Sequence, residues 1–230
     1  MKLLGVIGGM SWTSTAEYYR RLNLGIAQHL GGLHSARLLI HSVDFAGVAA
    51  MQRAGDWDAA GELLAGVARQ LAAGGADGLL LATNTMHKLA PQIEAATALP
   101  LLHIADATGT RLQAAGITRV GLIATAFTME QAFYTGRLAQ RYGLDVLVPG
   151  AEGRADIHRI IYDELCRNVI LHGSRDLYRR VMADLAARGA QAIILGCTEI
   201  TLLVGQADAS MPVFDTTAIH AEAAVKFMLS

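Results

Sequence analysis

Apolar and polar positions along the chain fall into alternating blocks. Short continuous apolar runs, such as Ala192-Ile193-Ile194-Leu195-Gly196, are separated by longer segments whose apolar residues recur at helical spacing. A continuous apolar run bounded by turn residues is a strand covered on both faces, as in a parallel sheet flanked by helices. The pattern predicts strands over residues 2–7, 36–42, 78–82, 101–103, 119–123, 144–148, 192–196 and 212–214. It predicts helices over 14–30, 56–73, 86–96, 106–115, 128–142, 154–171, 174–188 and 216–228. Gly31-Gly32, Gly74-Gly75, Gly116, Gly143 and Gly189 fall where those helices should stop.

The pattern also repeats. Residues 70–85 align without gaps on residues 184–199, an offset of 114 that brings Thr83 opposite Cys197. Leu4-Gly5-Val6-Ile7-Gly8-Gly9 resembles Val120-Gly121-Leu122-Ile123-Ala124-Thr125, at offset 116. Leu99-Pro100-Leu101-Leu102-His103 resembles Met211-Pro212-Val213-Phe214-Asp215, at offset 112. Three matches in the same order imply a duplicated unit. The expected fold is α/β: two similar three-layer lobes with parallel sheets, related by a pseudo-twofold axis, with the active site between them. Lobe one is expected to hold residues 1–104 plus 212–230, since the last helix should pack back on it, and lobe two residues 105–211.

Composition narrows the function classes. The 230 residues are 53% hydrophobic and 17% charged, an ordinary globular balance. The net charge is −1 and the basic residues are scattered, which argues against nucleic-acid or membrane partners. The apolar run Leu3–Ile7 is too short for the core of a signal peptide, and no stretch approaches bilayer-spanning length. A cytoplasmic protein is expected, with Cys166 and Cys197 reduced. Two cysteines without paired histidine spacing do not make a metal site.

In parallel α/β sheets, ligands bind beyond the carboxyl ends of the strands. The clusters there are Gly8-Gly9-Met10-Ser11, Thr83-Asn84-Thr85, Thr125-Ala126-Phe127-Thr128 and Cys197-Thr198-Glu199. Cys197 precedes an expected helix start, where unpaired N–H groups favour a thiolate; the plainer alternative is a small buried hydrophobe. Thr83 is a far weaker acid, and its plainer alternative is a cap for a helix starting near Thr85. Two proton-handling groups on opposite faces of one carbon are what inversion of a stereocentre needs. Asn84, Thr85, Thr198 and Glu199 supply donors and acceptors beside them, and Gly8-Gly9-Met10 offers N–H groups to a carboxylate. Gln52 and Arg53, at a loop-to-helix transition, suit a second carboxylate. Taken singly, His87, His103, Asp106 and His220 read as satisfied polar groups, and Cys166 as packing. Pyridoxal phosphate needs a lysine, and Lys2, Lys88 and Lys226 are poorly placed for it, so inversion without that cofactor is expected.

Four motifs together carry a family resemblance over nearly the whole chain. They are residues 5–12, Thr83-Asn84-Thr85-Met86-His87, His103-Ile104-Ala105-Asp106-Ala107 and Gly196-Cys197-Thr198-Glu199-Ile200. The sequence resembles the cofactor-independent aspartate/glutamate racemase superfamily. That resemblance implies two α/β lobes, a homodimer, an amino-acid substrate, and two acid/base residues with no metal or cofactor. Most members place cysteine at both positions; this chain has Thr83 and Cys197, like the broad L-aspartate/L-glutamate-specific racemases of enteric bacteria. By that likeness Thr83 and Cys197 are catalytic, and Met10, Gln52, Asn84, Thr85, Thr198 and Glu199 contact substrate. Many aspartate racemases have a lysine where Cys166 stands, which leaves Arg167, Arg53 or neutral donors to meet the distal carboxylate. Two rival readings are a single-cysteine decarboxylase of malonate-type acids on the same fold and a non-catalytic amino-acid-binding protein.

Overall fold

A computed structural model describes all residues, Met1–Ser230. The strands are Leu4–Gly8 (β1), Leu38–Ser42 (β2), Gly78–Leu81 (β3), Leu101–Leu102 (β4), Arg119–Ala124 (β5), Asp145–Leu147 (β6), Ala192–Gly196 (β7) and Val213–Asp215 (β8). The helices are Trp12–Leu30 (α1), Phe45–Ala54 (α2), Trp57–Ala73 (α3), Ala90–Ala96 (α4), Ile104–Ala114 (α5), Ala126–Glu130 (α6), Ala132–Tyr142 (α7), Ala151–Asp163 (α8), His172–Ala187 (α9) and Thr216–Leu229 (α10). Short 3-10 turns at Thr85–Leu89, Leu165–Arg167, Thr198–Leu202 and Gln206–Asp208 complete the chain.

The elements form two compact units, Met1–Ile104 with His220–Ser230, and Ala105–Ile219. Each holds one four-stranded parallel sheet, ordered β2-β1-β3-β4 in the first and β6-β5-β7-β8 in the second. Both orders read second, first, third, fourth along the unit. The expected boundary at residue 212 moves to 219. β8 is hydrogen-bonded to β7 through Ile193, Ile194 and Leu195, so the strand stays with the second sheet and the chain returns only within α10.

The first unit shows why β1 and β3 are apolar throughout. Side chains alternate across a strand, so one run feeds two cores. Ile7, Leu79 and Leu81 pack on one side with Leu64, Val67 and Leu71 of α3 and Ile93 of α4. Leu4, Val6, Leu80 and Ala82 pack on the other with Tyr18, Leu22 and Ile26 of α1 and Ala224, Val225 and Met228 of α10. Each such side chain contributes about 1.5–3 kcal/mol by leaving water, so a charge on either face of β1 or β3 is excluded.

The duplication is physical as well as sequential. A Cβ added to Gly5 would sit 3.2 Å from Leu71 Cβ and 3.0 Å from a Leu79 methyl. A Cβ added to Gly121 would sit 3.2 Å from Leu185 Cβ and 2.9 Å from the Ile193 methyl. Leu71 and Leu79 are the residues that align with Leu185 and Ile193. In both units a glycine on the first strand lets the helix that precedes the third strand, α3 or α9, lie close against the sheet.

One helix was not predicted and two predicted helices differ in detail. α2 was not anticipated: Asp44 caps it by accepting Ala46 N–H at 3.1 Å, a signal hidden in a short Ala-rich segment. The predicted 128–142 helix is broken at Gln131, which is extended. The predicted 154–171 helix stops at Asp163, and Asn168 takes a left-handed conformation at φ 59°.

Candidate active site

In a parallel sheet ordered this way, the ligand position lies at the switch point between the first and third strands. In the first unit these are β1 and β3, which end at Gly8-Gly9 and Ala82-Thr83. In the second they are β5 and β7, which end at Ala124-Thr125 and Gly196-Cys197. Thr83 and Cys197 therefore occupy the same topological position in the two units.

Cys197 is partly exposed, yet its sulfur is deeply set in protein. Its thiol donates to Glu199 Oε2 at 2.9 Å. Burial pushes the thiol well above its ordinary range, and the Glu199 charge and neighbouring Cys166 push it further. The Glu199 backbone N–H does point at the sulfur and opposes this, but it is outweighed. The expectation that free N–H groups would favour a thiolate is thus reversed in the resting structure. The segment that follows is a 3-10 turn of five residues, not a long helix, and it brings a buried carboxylate with it.

The surroundings of Cys197 are polar and tightly held. Thr198 shares a hydrogen bond with Thr217 at 2.9 Å between hydroxyls. Ser174 donates to buried Glu164 at 2.5 Å. Cys166 lies in the 3-10 turn before Asn168, and burial with the Glu199 charge pushes its thiol up to about 12. The Tyr178 hydroxyl on α9 is fully buried without a protein hydrogen-bond partner. Burial holds it protonated, and Cys197, Glu164 and Cys166 act on it electrostatically.

Thr83 stands two residues beyond β3 at intermediate burial, and its N–H closes a tight turn on Leu81 O at 2.9 Å. It does not cap the next turn, which has no side-chain cap. Asn84 and Thr85 are buried beside it. Gln52 is 5% exposed and sits in the last turn of α2, not at a loop-to-helix transition, with its amide on Met86 Sδ at 2.9 Å. Met10 packs among Ile7, Val48 and Leu64. Arg53 and Arg167 are exposed. Gly9 does not offer its N–H to a carboxylate: that proton goes to Thr15 Oγ1 at 2.7 Å. Gly9 is instead required by close approach, since its φ is +92° and a Cβ would meet Val43 O at 2.1 Å.

Thr217 was not singled out from sequence, and Thr125 stood there only as part of a strand-end cluster. Thr125 caps α6 by accepting Thr128 N–H at 3.4 Å, and Thr217 meets Thr198; both follow strand ends, which is the signal that points to them. The histidines read singly as satisfied groups are joined: His87 and His103 rings lie 4.5 Å apart, and His87 and His220 rings 5.8 Å. Asp106, from the same motif as His103, is clamped by Arg137 at 2.7 Å and Arg141 at 2.9 Å. No group of histidines, cysteines and carboxylates is arranged to hold a metal ion, and no helix is long and apolar enough to cross a membrane.

Comparison with known proteins gives the family and the fold. Residues 7–224 match the family model described as Asp/Glu/hydantoin racemase. A candidate Asp/Glu racemase from Yersinia pestis is 53% identical, with both chains covered completely and a TM-score of 0.95. An aspartate racemase homologue from Pyrococcus horikoshii is 29% identical over the whole of both chains, with a TM-score of 0.85. An aspartate racemase from Picrophilus torridus shares the fold at 20% identity, covering 99% of this chain and 94% of its own, with a TM-score of 0.78. The chain belongs to the Asp/Glu/hydantoin racemase family. It is an enzyme of the isomerase class, a racemase.

Proposed function

We propose that the protein inverts the α-carbon of L-aspartate and L-glutamate without pyridoxal phosphate or metal, using Cys197 and Thr83 as the two proton-handling residues. The observation that carries this reading is the shared position of Thr83 and Cys197 at the switch points of two duplicated sheets, with only Cys197 paired to a carboxylate. Asn84, Thr85 and Thr198 hold the α-carboxylate and spread the charge that develops at the reacting carbon. Gln52 and Met10 meet the rest of the side chain, where the neutral amide stands in for a cation. The protein is a cytoplasmic homodimer in this reading.

The resting thiol must first lose its proton. A substrate ammonium group arriving beside Cys197 and Glu199 favours the anion on sulfur, and Glu199 Oε2 is already in place to take the proton. The thiolate then removes the α-proton of the L form. Thr83 Oγ–H delivers a proton to the opposite face, and the alkoxide left behind is reprotonated from solvent as Glu199 releases its proton. A hydroxyl protonates a carbanion readily but abstracts an α-proton poorly. Enantiomers have equal free energy, so kcat/KM is the same from either side. The Thr/Cys asymmetry therefore appears in kcat and KM separately, with the higher kcat from the L form.

The test is incubation of the pure protein with L-aspartate and with L-glutamate in D2O, without added cofactor, reading α-deuterium and chirality together. Deuterated D product is expected, and Cys197→Ser should abolish it. Racemisation at the wild-type rate in Cys197→Ser, or no α-exchange with either amino acid, refutes the reading.

A further inference from the structure

His87 is buried, with its ring held at both nitrogens. Ile104 N–H donates to Nε2 at 3.2 Å. A backbone N–H can only donate, so Nε2 carries no proton and the ring proton must be on Nδ1. Nδ1–H then donates to the Thr83 carbonyl at 2.7 Å. The ring is therefore a neutral link of fixed tautomer between Thr83 and Ile104. Ile104 is the first residue of α5 and the last of the first unit before the chain leaves it.

The same logic fixes a second histidine next to it. His220 Nε2 must carry its proton, because it meets the Leu102 carbonyl at 2.7 Å, and Nδ1 then accepts the Tyr18 hydroxyl at 2.8 Å. Leu102 and Ile104 flank His103, whose ring lies against His87. The end of β4 and the start of α5 are thus fastened on both sides of one residue. That fastened backbone is the anchor for the far side of the His87 ring. Thr83 itself has little else to fix it: its N–H closes only the short turn on Leu81 O, and no cap follows.

We infer that His87 is the positioning residue for Thr83: it fixes the direction of the Thr83 peptide, and so the aim of its hydroxyl, by tying the carbonyl to the anchored backbone at Ile104. The inference rests on the proposed role of Thr83 in returning the proton. Loss of the tether acts on one face of the substrate only. The carbanion still forms at Cys197 but partitions back to the L form instead of inverting.

Two side chains split the ring's two bonds. His87→Gln places an amide oxygen near the Nε2 position for Ile104 and removes the Nδ1–H donor to Thr83. His87→Asn keeps a donor near Nδ1 and removes the acceptor. In D2O the measured quantity is the ratio of deuterium in recovered L substrate to D product formed. His87→Gln should raise that ratio about ten- to a hundredfold, the size expected from slight misplacement of a reacting group. His87→Asn should restore most of the wild-type ratio. Equal loss of exchange and inversion in His87→Gln, or no change in the ratio, overturns the inference. Wild-type protein inert toward both amino acids would sink the substrate reading instead, and a second measurement then decides this one. The 15N shifts of the His87 ring should show Nδ1 protonated and Nε2 bare, and the Thr83 carbonyl 13C shift should move in His87→Gln but little in His87→Asn. A proton on Nε2, or an unmoved Thr83 carbonyl in His87→Gln, overturns the inference without any turnover.

Discussion

Glu199→Gln separates two effects that the wild-type carboxylate combines. The substitution keeps the side chain's length and an oxygen able to accept from Cys197, but removes its charge. A hydrogen bond to a charged partner contributes about 1.5–3 kcal/mol and a neutral one about 1 kcal/mol. Glu199 is 5% exposed, so solvent does little to screen the difference. The protonated thiol should lose about 1–2 kcal/mol of relative stabilisation, or about five- to thirtyfold in the population of thiolate. Burial, the largest cause of the raised thiol, stays, so the thiol remains above its ordinary range. Alkylation of Cys197 by iodoacetamide near neutral pH, read by peptide mass spectrometry, should quicken by that factor. Racemisation should move the other way. The variant lacks the group that takes the thiol proton as substrate binds, and such acid–base assistance is worth about a hundredfold or more. Faster alkylation with slower racemisation is the expected signature. An unchanged or slower alkylation rate, or racemisation that rises with the thiolate, refutes the reasoning.

Three further outcomes follow from the packing. His220 is neutral when folded, held down to about 4 by burial against an ordinary value of 6.5. The unfolded chain therefore binds the extra proton first as pH falls, and about 3 kcal/mol of stability present above pH 6.5 is lost by about pH 4; His220→Gln, which keeps a donor for Leu102 and does not titrate, should show a shallower loss in urea unfolding across that window. Tyr178→Phe removes a buried hydroxyl with no protein partner, so thermal unfolding should show equal stability or a gain of about 1 kcal/mol, and a loss of that size would show that the hydroxyl is satisfied. Gly9→Ala puts a methyl 2.1 Å from Val43 O at a positive φ, so the variant should lose about 3–5 kcal/mol by chemical denaturation; a loss under 1 kcal/mol would mean the loop after β1 adapts freely.

Much of the architecture is legible in the order of residues. All eight strands appear near the predicted runs, and β1, β3 and β7, buried at every position, have no polar side to interrupt theirs. The register of the duplication survives into packing, with Gly5 and Gly121 meeting Leu71 and Leu185 alike. Short elements escaped: α2 and the 3-10 turns are too brief for a helical period to declare itself, so their existence rests on local caps and on neighbours. The boundary at residue 219 escaped for another reason. Nothing in Met211-Pro212-Val213-Phe214 says which sheet will take it, since the pairing partner is a non-local choice.

The site divides the same way. Thr83 and Cys197 are found by the repeat, since alignment needs only the chain's own order. Their protonation and support are not. The sequence places N–H groups after Cys197 and suggests a thiolate, whereas the fold buries the sulfur beside Glu199 and keeps the proton on it. Thr15 takes the Gly9 N–H that the loop sequence alone leaves open. His87 and His220 lie 133 residues apart (220 − 87), yet their rings lie together and their tautomers are set by backbone groups at 102 and 104. Local order determined where strands end and which residue types stand there, because those follow from nearest neighbours and periodicity. Burial, charge proximity and hydrogen-bond direction were decided only by tertiary structure, because each depends on groups that the chain brings together from far along its length.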